Sequence, residues 1–329
     1  MSIFPCQGRH MFMIKYYNMS SVYASPLEGL PSFPTFTPIR AAMKETIERY
    51  THKFPRYSDY NFFSMLTYDV FNSLQISVLN NNLVVIFRDY ISLKPFYSFI
   101  GVSQVLETTH ILLNESAKNG YGDALKLVPQ TTIDQLPPDN RNKLTVTEDP
   151  DNNDYIYSLK DYVNLSGKEY RSHREKIHRF KKKYPDIDIR RVDLASIGKD
   201  ALELFSLWKS NKIKSGNKVD GIEREAFRRA VEYAKLFNLI TIGVYDKEKL
   251  IAISVVDVTN NYPTGAFIKA DTSYGEIFRF TQHAKAEVLL KNGFIEMNCE
   301  QDLGIQNLRE SKESWHPIKY LKKYIVGEA

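Results

Sequence analysis

Apolar and polar positions follow two rhythms along this chain, one of period two and one of period 3.6, and they alternate in the same order twice. In the later part, Ile240–Tyr245 and Leu250–Val258 are β-branched runs joined by the polar Asp246-Lys247-Glu248-Lys249, which predicts a hairpin. Thr264–Ala270 predicts a third strand. Glu276–Lys291 then shows helical spacing (Ile277, Phe280, Ala284, Val288) and stops at Asn292-Gly293, a left-handed helix end. Phe294–Cys299 predicts the next strand and Ile318–Val326 the last, while Lys168–Tyr184, Gly198–Ile213 and Glu223–Phe237 predict helices ahead of the hairpin.

The earlier part repeats this order. Leu74–Leu79 and Leu83–Arg88 flank Asn80-Asn81-Asn82, a second hairpin; Phe96–Ile100 follows, then a helix over Val102–Asn119 closed by Gly120. Leu125–Val128, a short helix around Thr132–Leu136 and Leu144–Thr147 complete it. Turn formers at Pro137-Pro138-Asp139-Asn140 and Asp149–Asp154 mark the junction, giving units over 39–150 and 151–329 after a proline-bearing irregular leader, 1–38. The fold class is α/β with mixed sheets. Each unit resembles the GNAT (acyl-CoA N-acyltransferase) fold, in which one strand splays from its neighbour and substrate lies at the opening. Fold order alone names no chemistry.

Composition narrows the classes. At 329 residues, 43% apolar and 25% charged, the chain supports two packed units. Cys6 and Cys299 form no framework, no His/Cys cluster has metal spacing, and no 18-residue apolar stretch occurs. The expectation is a cytoplasmic protein without metal or functional disulfide. The net charge of +5 falls wholly in the second half, because residues 1–150 hold 13 basic and 13 acidic side chains. An anionic partner should therefore prefer that half, which is also where the working site is expected.

Three segments there carry chemistry. Lys168–Arg191 holds ten Lys and Arg against four Asp and Glu, and Tyr170, Ile177, Phe180 and Tyr184 leave most of the helix circumference basic. Lys168, Arg171, Arg174, Arg179, Lys181, Lys182 and Lys183 suit phosphates of RNA or an anionic surface; a solvated helix face is the other reading. The second segment runs from Asn298 to Pro317. Glu300 and Asp302 lie past a strand end where open α/β sheets place ligands, with Arg309, Lys312 and His316 following. These groups could hold an ammonium and supply a general base, or form an ion-pair network tying the last helix to the sheet. In the third, Asp271, Ser273, Tyr274 and Gly275 occupy the place of a pyrophosphate loop but retain one glycine, poor coenzyme A chemistry. Asp271 could face a substrate amine or cap the helix.

The segments Ser58-Asp59-Tyr60-Asn61-Phe62, LSGKxYxxxRxxIxxF at Leu165–Phe180 and ExDLGxxxLRxxKxxxxP at Glu300–Pro317 resemble the phosphatidylglycerol lysyltransferase C-terminal domain family, especially its stand-alone bacterial members. The resemblance covers about residues 39–326. It implies tandem GNAT-like domains and, as in characterised relatives, transfer of an aminoacyl group from aminoacyl-tRNA to a lipid hydroxyl. Matching positions are Lys168, Tyr170, Arg174, Ile177 and Phe180, then Glu300, Asp302, Arg309, Lys312 and Pro317, while His173 and His178 stand where relatives often carry Lys and Asn. On this basis Glu300, Asp302, Arg309 and Lys312 are the expected catalytic set, and Asp271, Tyr274, His316 and Tyr170 the expected substrate contacts. The basic helix is expected to meet a tRNA acceptor end, with peripheral contact to an anionic membrane surface also open. No cofactor is expected beyond the aminoacyl-tRNA donor; acetyl-CoA or another acyl-CoA is the alternative donor, and a non-catalytic binding module the alternative class.

Overall fold

A computed structural model describes residues 27–137, 143–214 and 221–329. Cys6, most of the leader and Pro138-Asp139-Asn140 lie outside the described residues. The first part contains β1 (Thr37–Pro38), α1 (Lys44–Thr51), α2 (Phe62–Thr67), β2 (Gln75–Leu79), β3 (Asn82–Arg88), β4 (Pro95–Ile100), α3 (Val105–Lys118), β5 (Ala124–Pro129), α4 (Gln130–Ile133) and β6 (Leu144–Glu148). The second contains β7 (Asp154–Ser158), α5 (Leu159–Asn164), α6 (Arg171–Lys183), β8 (Ile187–Val192), α7 (Gly198–Lys214), α8 (Ile222–Glu232), β9 (Leu239–Asp246), β10 (Lys249–Thr259), β11 (Tyr262–Ala270), α9 (Ile277–Lys291), β12 (Glu296–Asn298), α10 (Gln306–Glu313), β13 (Lys319–Leu321) and β14 (Lys323–Glu328). The repeated order of hairpin, third strand, long helix, strand, short helix and strand is therefore present twice.

Both hairpins form for the reasons their sequences give. Asn80 and Asn81 adopt positive φ of 51° and 60°, conformations asparagine tolerates well, and close β2 on β3. The strand β10 is buried along nearly its whole length, as expected of a run covered on both faces. Its alternating side chains serve two cores, and its pairing with β11 shifts register between Val255 and Val256. Ile253 and Val255 join α2, α7 and α8 on one face, whereas Val256 and Val258 join α5, α6 and α9 on the other. The first of these cores spans both parts: Phe63 meets Phe237 at 4.9 Å and Phe267 at 6.3 Å, all three rings edge-on.

The strand connections are less simple than the linear order. Three sheets form, with orders β1-β2-β3-β4, β13-β7-β12-β11-β10-β9-β8 and β5-β14-β6. The strand β7, first after the junction, lies between β12 and β13, whereas β14, at the end of the chain, crosses back and lies between β5 and β6. Each part thus receives its inserted strand from a distant stretch of sequence. The single last strand expected over Ile318–Val326 is in fact two strands in different sheets. They divide at Lys322-Lys323, where the Lys323 ammonium turns into a buried pair of acids. Residues 323–328, counted in sequence with the second unit, are hydrogen-bonded into the first.

A chain ending after Lys322 would leave β5 and β6 without the strand that joins them. We expect it to lose cooperative unfolding. A sharp thermal transition by circular dichroism within a few degrees of the full chain would show that β14 is dispensable.

Candidate functional site

The strands β11 and β12 meet at one ladder pair, Thr264 opposite Asn298. Beyond it the chain stays with β7, where Cys299 N–H donates to Tyr155 O at 2.9 Å and Tyr155 N–H donates to Glu300 O at 3.2 Å. The gap that opens between β11 and residues 299–300 is the splay expected of this strand order. Glu300 turns there with φ of 58°, its N–H held at 2.6 Å by the Asn298 side chain.

Two groups of charges collect around this turn. In the splay itself, Lys312 from α10 donates to the carbonyls of Cys299 and Glu300, the latter at 3.3 Å. Ser64 of α2 donates to the Glu300 carboxylate at 3.3 Å. Burial pushes the Glu300 carboxyl up to about 8, with Asp154 and Asp59 adding to the rise and Lys312 opposing it. Burial lowers Lys312 in turn, against the pull of Cys299 and Glu300.

The second group is Asp302 with Arg309. Asp302 is fully buried and accepts from Arg309 Nε at 2.9 Å, Arg309 Nη2 at 2.8 Å and the Tyr155 hydroxyl at 2.5 Å. Burial alone would raise its carboxyl, but these bonds and one from Gly304 N–H hold it below the usual carboxylate range. Arg309 also reaches Asp151 at 2.6 Å. The four residues expected to act together are therefore split. Glu300 and Lys312 occupy the splay, while Asp302 and Arg309 satisfy each other and tie α10 to β7.

Sequence reasoning missed the deepest cluster. Lys323 lies between Asp59 and Asp154, and none of the three side chains is more than 1% exposed. Ser58 donates to Asp154 from its N–H at 2.7 Å and its hydroxyl at 2.6 Å, and Asn298 donates to it at 3.1 Å. Burial raises the Asp59 carboxyl against the opposing charge of Lys323, while the two acids raise Lys323 against its own burial. Ser58 and Asp59 were legible as part of a motif. A lone lysine near the chain end gave no signal. Asp257, inside the apolar run of β10, was also missed; burial pushes its carboxyl up to about 6 despite bonds from Thr259 and Asn61.

A narrow cavity of about 30 Å³, room for about one water, opens beside Asp59, Ser64, Tyr68, Phe87, Tyr90 and Ile222. Its walls come mainly from the first part rather than the second. Burial, Asp59 and Glu300 together push the Tyr90 hydroxyl far up, so the cavity lies within the field of the splay. Tyr170 and His316 do come together, rings edge-on at 4.9 Å, on a surface hollow of about 560 Å³ that also takes in Asp161, Ser166, Gly167 and Glu169.

The remaining expected residues divide. Lys168 and Tyr170 precede the helix, which starts at Arg171. Arg174 donates to the carbonyls of Leu165 and Gly167, clamping the motif turn rather than meeting a partner. Arg171 pairs with Glu175 at 2.7 Å. Arg179, Lys181, Lys182 and Lys183 remain exposed. Tyr170 and buried His173 donate toward the carbonyls of Trp315 and Ser314, at 3.3 and 2.7 Å, and so fasten the basic helix to the end of the Glu300–Pro317 segment. Asp271 does not reach the splay. Ser273, at 2.7 Å, and Lys249, at 3.2 Å, occupy its carboxylate, and Tyr274 donates to Asp246 at 2.7 Å. Asp271 follows the end of β11, six residues beyond Gly265, so it and Tyr274 stand at the entry to α9.

The profile for the phosphatidylglycerol lysyltransferase C-terminal region matches residues 107–327. The chain belongs to this family. Among solved structures, a conserved protein of unknown function from Bacteroides thetaiotaomicron is similar at 24% identity and a TM-score of 0.76, over 89% of this chain and 99% of that one. L-PGS from Bacillus licheniformis is similar at 10% identity and a TM-score of 0.52, over 80% and 86% of the two chains. FemX is similar at 9% and 0.54, over 89% and 95%. No curated protein sequence matches. The fold is accordingly mixed α/β and GNAT-like, of the kind found across these acyltransferase-related structures. Among the described residues, no helix is long and apolar enough to cross a membrane.

Arg309→Ala should expose the cost of stranding buried Asp302, about 3–5 kcal/mol, seen as a lower midpoint in urea. Lys323→Met should cost a similar amount, and Asp59→Asn with Asp154→Asn should recover much of it in the Met background. Unchanged urea midpoints for both single variants would show these pairs to be incidental.

Proposed function

We propose that the protein is an aminoacyl-tRNA-dependent transferase in which Glu300 is the general base. The observation that carries this reading is a half-buried glutamate whose carboxyl burial pushes up to about 8, beside a lysine at the point where two strands separate. An aminoacyl ester is already activated, so the enzyme must position it, take a proton from the acceptor and stabilise the oxyanion. A base whose affinity for protons lies near neutrality suits the second task. The acceptor is a hydroxyl or amine, on a lipid or on a peptide or small molecule, and Ser64 joins the cavity to the carboxylate that would deprotonate it. Lys312 fixes the Glu300 turn and keeps positive charge beside the reacting ester.

The basic helix supports the choice of donor. Its exposed face, Arg179 with Lys181, Lys182 and Lys183, can neutralise acceptor-stem phosphates. The acyl-CoA alternative is disfavoured by Asp271 and Glu276, whose carboxylates stand at the loop and helix start where a pyrophosphate would have to approach.

Labelled aminoacyl-tRNAs incubated with cell extract, followed by separation of lipids, peptides and small molecules, test the transfer. Glu300→Gln should slow it by about 10²–10⁴-fold while tRNA binding is kept. Because the base must be ionised, kcat/KM should rise with pH to a midpoint of about 8, and the Gln variant should lose that limb. Stability should run the other way. The folded chain favours the protonated carboxyl, so this contribution is whole below the ordinary value of 4.5 and is lost as pH rises through about 8. A flat pH profile, or full activity in Glu300→Gln, would remove Glu300 from the role. Replacing Lys181, Lys182 and Lys183 with Ala should reduce the salt slope of tRNA binding by about 2. An unchanged slope, with binding shifted only to anionic vesicles, would favour a membrane face.

A further inference from the structure

Three lysines are buried among the described residues, and two have obvious reasons to be there. Lys269 pairs with Glu223, and Lys323 pairs with Asp59 and Asp154. Lys285 is 2% exposed, yet no carboxylate among the described residues comes within ion-pair distance of it. The polar neighbour of its ammonium is the Cys299 Sγ, at 3.9 Å. Burying an ammonium without a counter-charge is costly, so this arrangement asks for an anion.

On one side of the ammonium the fold omits a side chain, leaving an atom-sized volume. Lys285 comes from α9 and points to the splay, where it faces Gly265 of β11. A Cβ at Gly265 would stand 3.3 Å from Lys285 Nζ, 3.7 Å from the Asn298 carbonyl oxygen and 3.7 Å from Cys299 Sγ. The missing side chain keeps that volume free. Lys312 donates to the carbonyls of Cys299 and Glu300, and Lys285 lies near enough to act on its charge, so two ammonium groups flank the turn that bears Glu300.

We propose that Lys285 is the cation of an anion subsite within the splay, binding an anionic oxygen of the substrate. That oxygen is either the oxyanion of transfer or a phosphate oxygen of the RNA terminus. Only the first source rests on the transferase reading. In that case the acceptor heteroatom bonds to the ester carbonyl carbon as Glu300 takes its proton. The carbonyl π electrons move to the oxygen facing Lys285. Collapse of the adduct breaks the bond to the ribose oxygen, which leaves with the proton from Glu300.

Cys299 is a built-in reporter. In a Cys6→Ser background, the full chain is alkylated at one pH with anionic iodoacetate or neutral iodoacetamide, and labelling of Cys299 is followed by mass spectrometry. Lys285→Met should lower the iodoacetate-to-iodoacetamide rate ratio by about tenfold or more. Gly265→Ala retains the lysine but fills the gap, and should slow both reagents. Melting curves establish that both variants are folded. If Lys285→Met does not fold, the Gly265→Ala result decides, and undiminished labelling there counts against the subsite. Protection of Cys299 by inorganic phosphate assigns the RNA phosphate. An altered ratio without protection, joined to a loss in kcat with KM for aminoacyl-tRNA unchanged, assigns the oxyanion. A ratio unaffected by Lys285→Met, or no labelling of Cys299 by either reagent, overturns the subsite. If no aminoacyl transfer is found while the ratio still shifts, the transferase reading fails and the anion subsite stands.

Discussion

The ammonium of Lys323 sits between the carboxylates of Asp59 and Asp154, sealed from water on all sides. Asp154 opens β7, the strand inserted between β12 and β13, and Lys323 opens β14, the strand that the second part lends to the first. The charges therefore meet where the crossing strand β14 leaves the neighbourhood of β7. A buried pair of this kind adds little net stability over apolar packing, but breaking it is expensive. Its stronger effect is on register: an alternative pairing of either strand would leave a charge stranded in the core. Asp59 joins the same point from the first part, and Gln301 donates to it at 3.3 Å from the turn that bears Glu300. Placement of the turn thus depends on the clasp between the halves.

That dependence explains why three distant motifs meet. Ser58-Asp59 fixes the clasp, Glu300–Pro317 runs over it, and Tyr170 with His173 anchors the far end of that segment. Within it, alternate residues have taken opposite tasks. Asp302 faces inward to Arg309 and Tyr155 and is held ionised; Glu300 faces the splay and is held near its protonated form. Two carboxylates separated by one residue have their proton affinities driven apart by environment alone.

Much of this architecture could be read from the residues. Local rhythm revealed both hairpins and both long helices, because a β-branched run and an Asn-Gly helix end act over a few neighbours. Segments stabilised only by distant partners were not legible. The helix α2, buried at every position, shows no periodicity and exists through packing, and the edge strand β8 exists through pairing along β9. The placement of β7 and β14 depends on partners more than 130 residues away, and no propensity encodes that. In the site, charge spacing identified Glu300 through Lys312 but could not say which carboxylate is held ionised, since the hydrogen bonds that distant Tyr155 and Arg309 give Asp302 distinguish them. Lys285 looked like one more polar position on a helix. Only the absence of a nearby acid, visible in three dimensions, sets it apart.

The return of the last strand has a consequence for how the protein is made. A ribosome delivers the chain from its N-terminus, and domains generally fold in that order as they emerge. Here the sheet of β5 and β6 waits for residues 323–328, which emerge only after every strand of the seven-stranded sheet. Until then the first part cannot close, and its two unpaired edges stay open to wrong partners. Both halves mature together, in one late, non-local step of the slow kind.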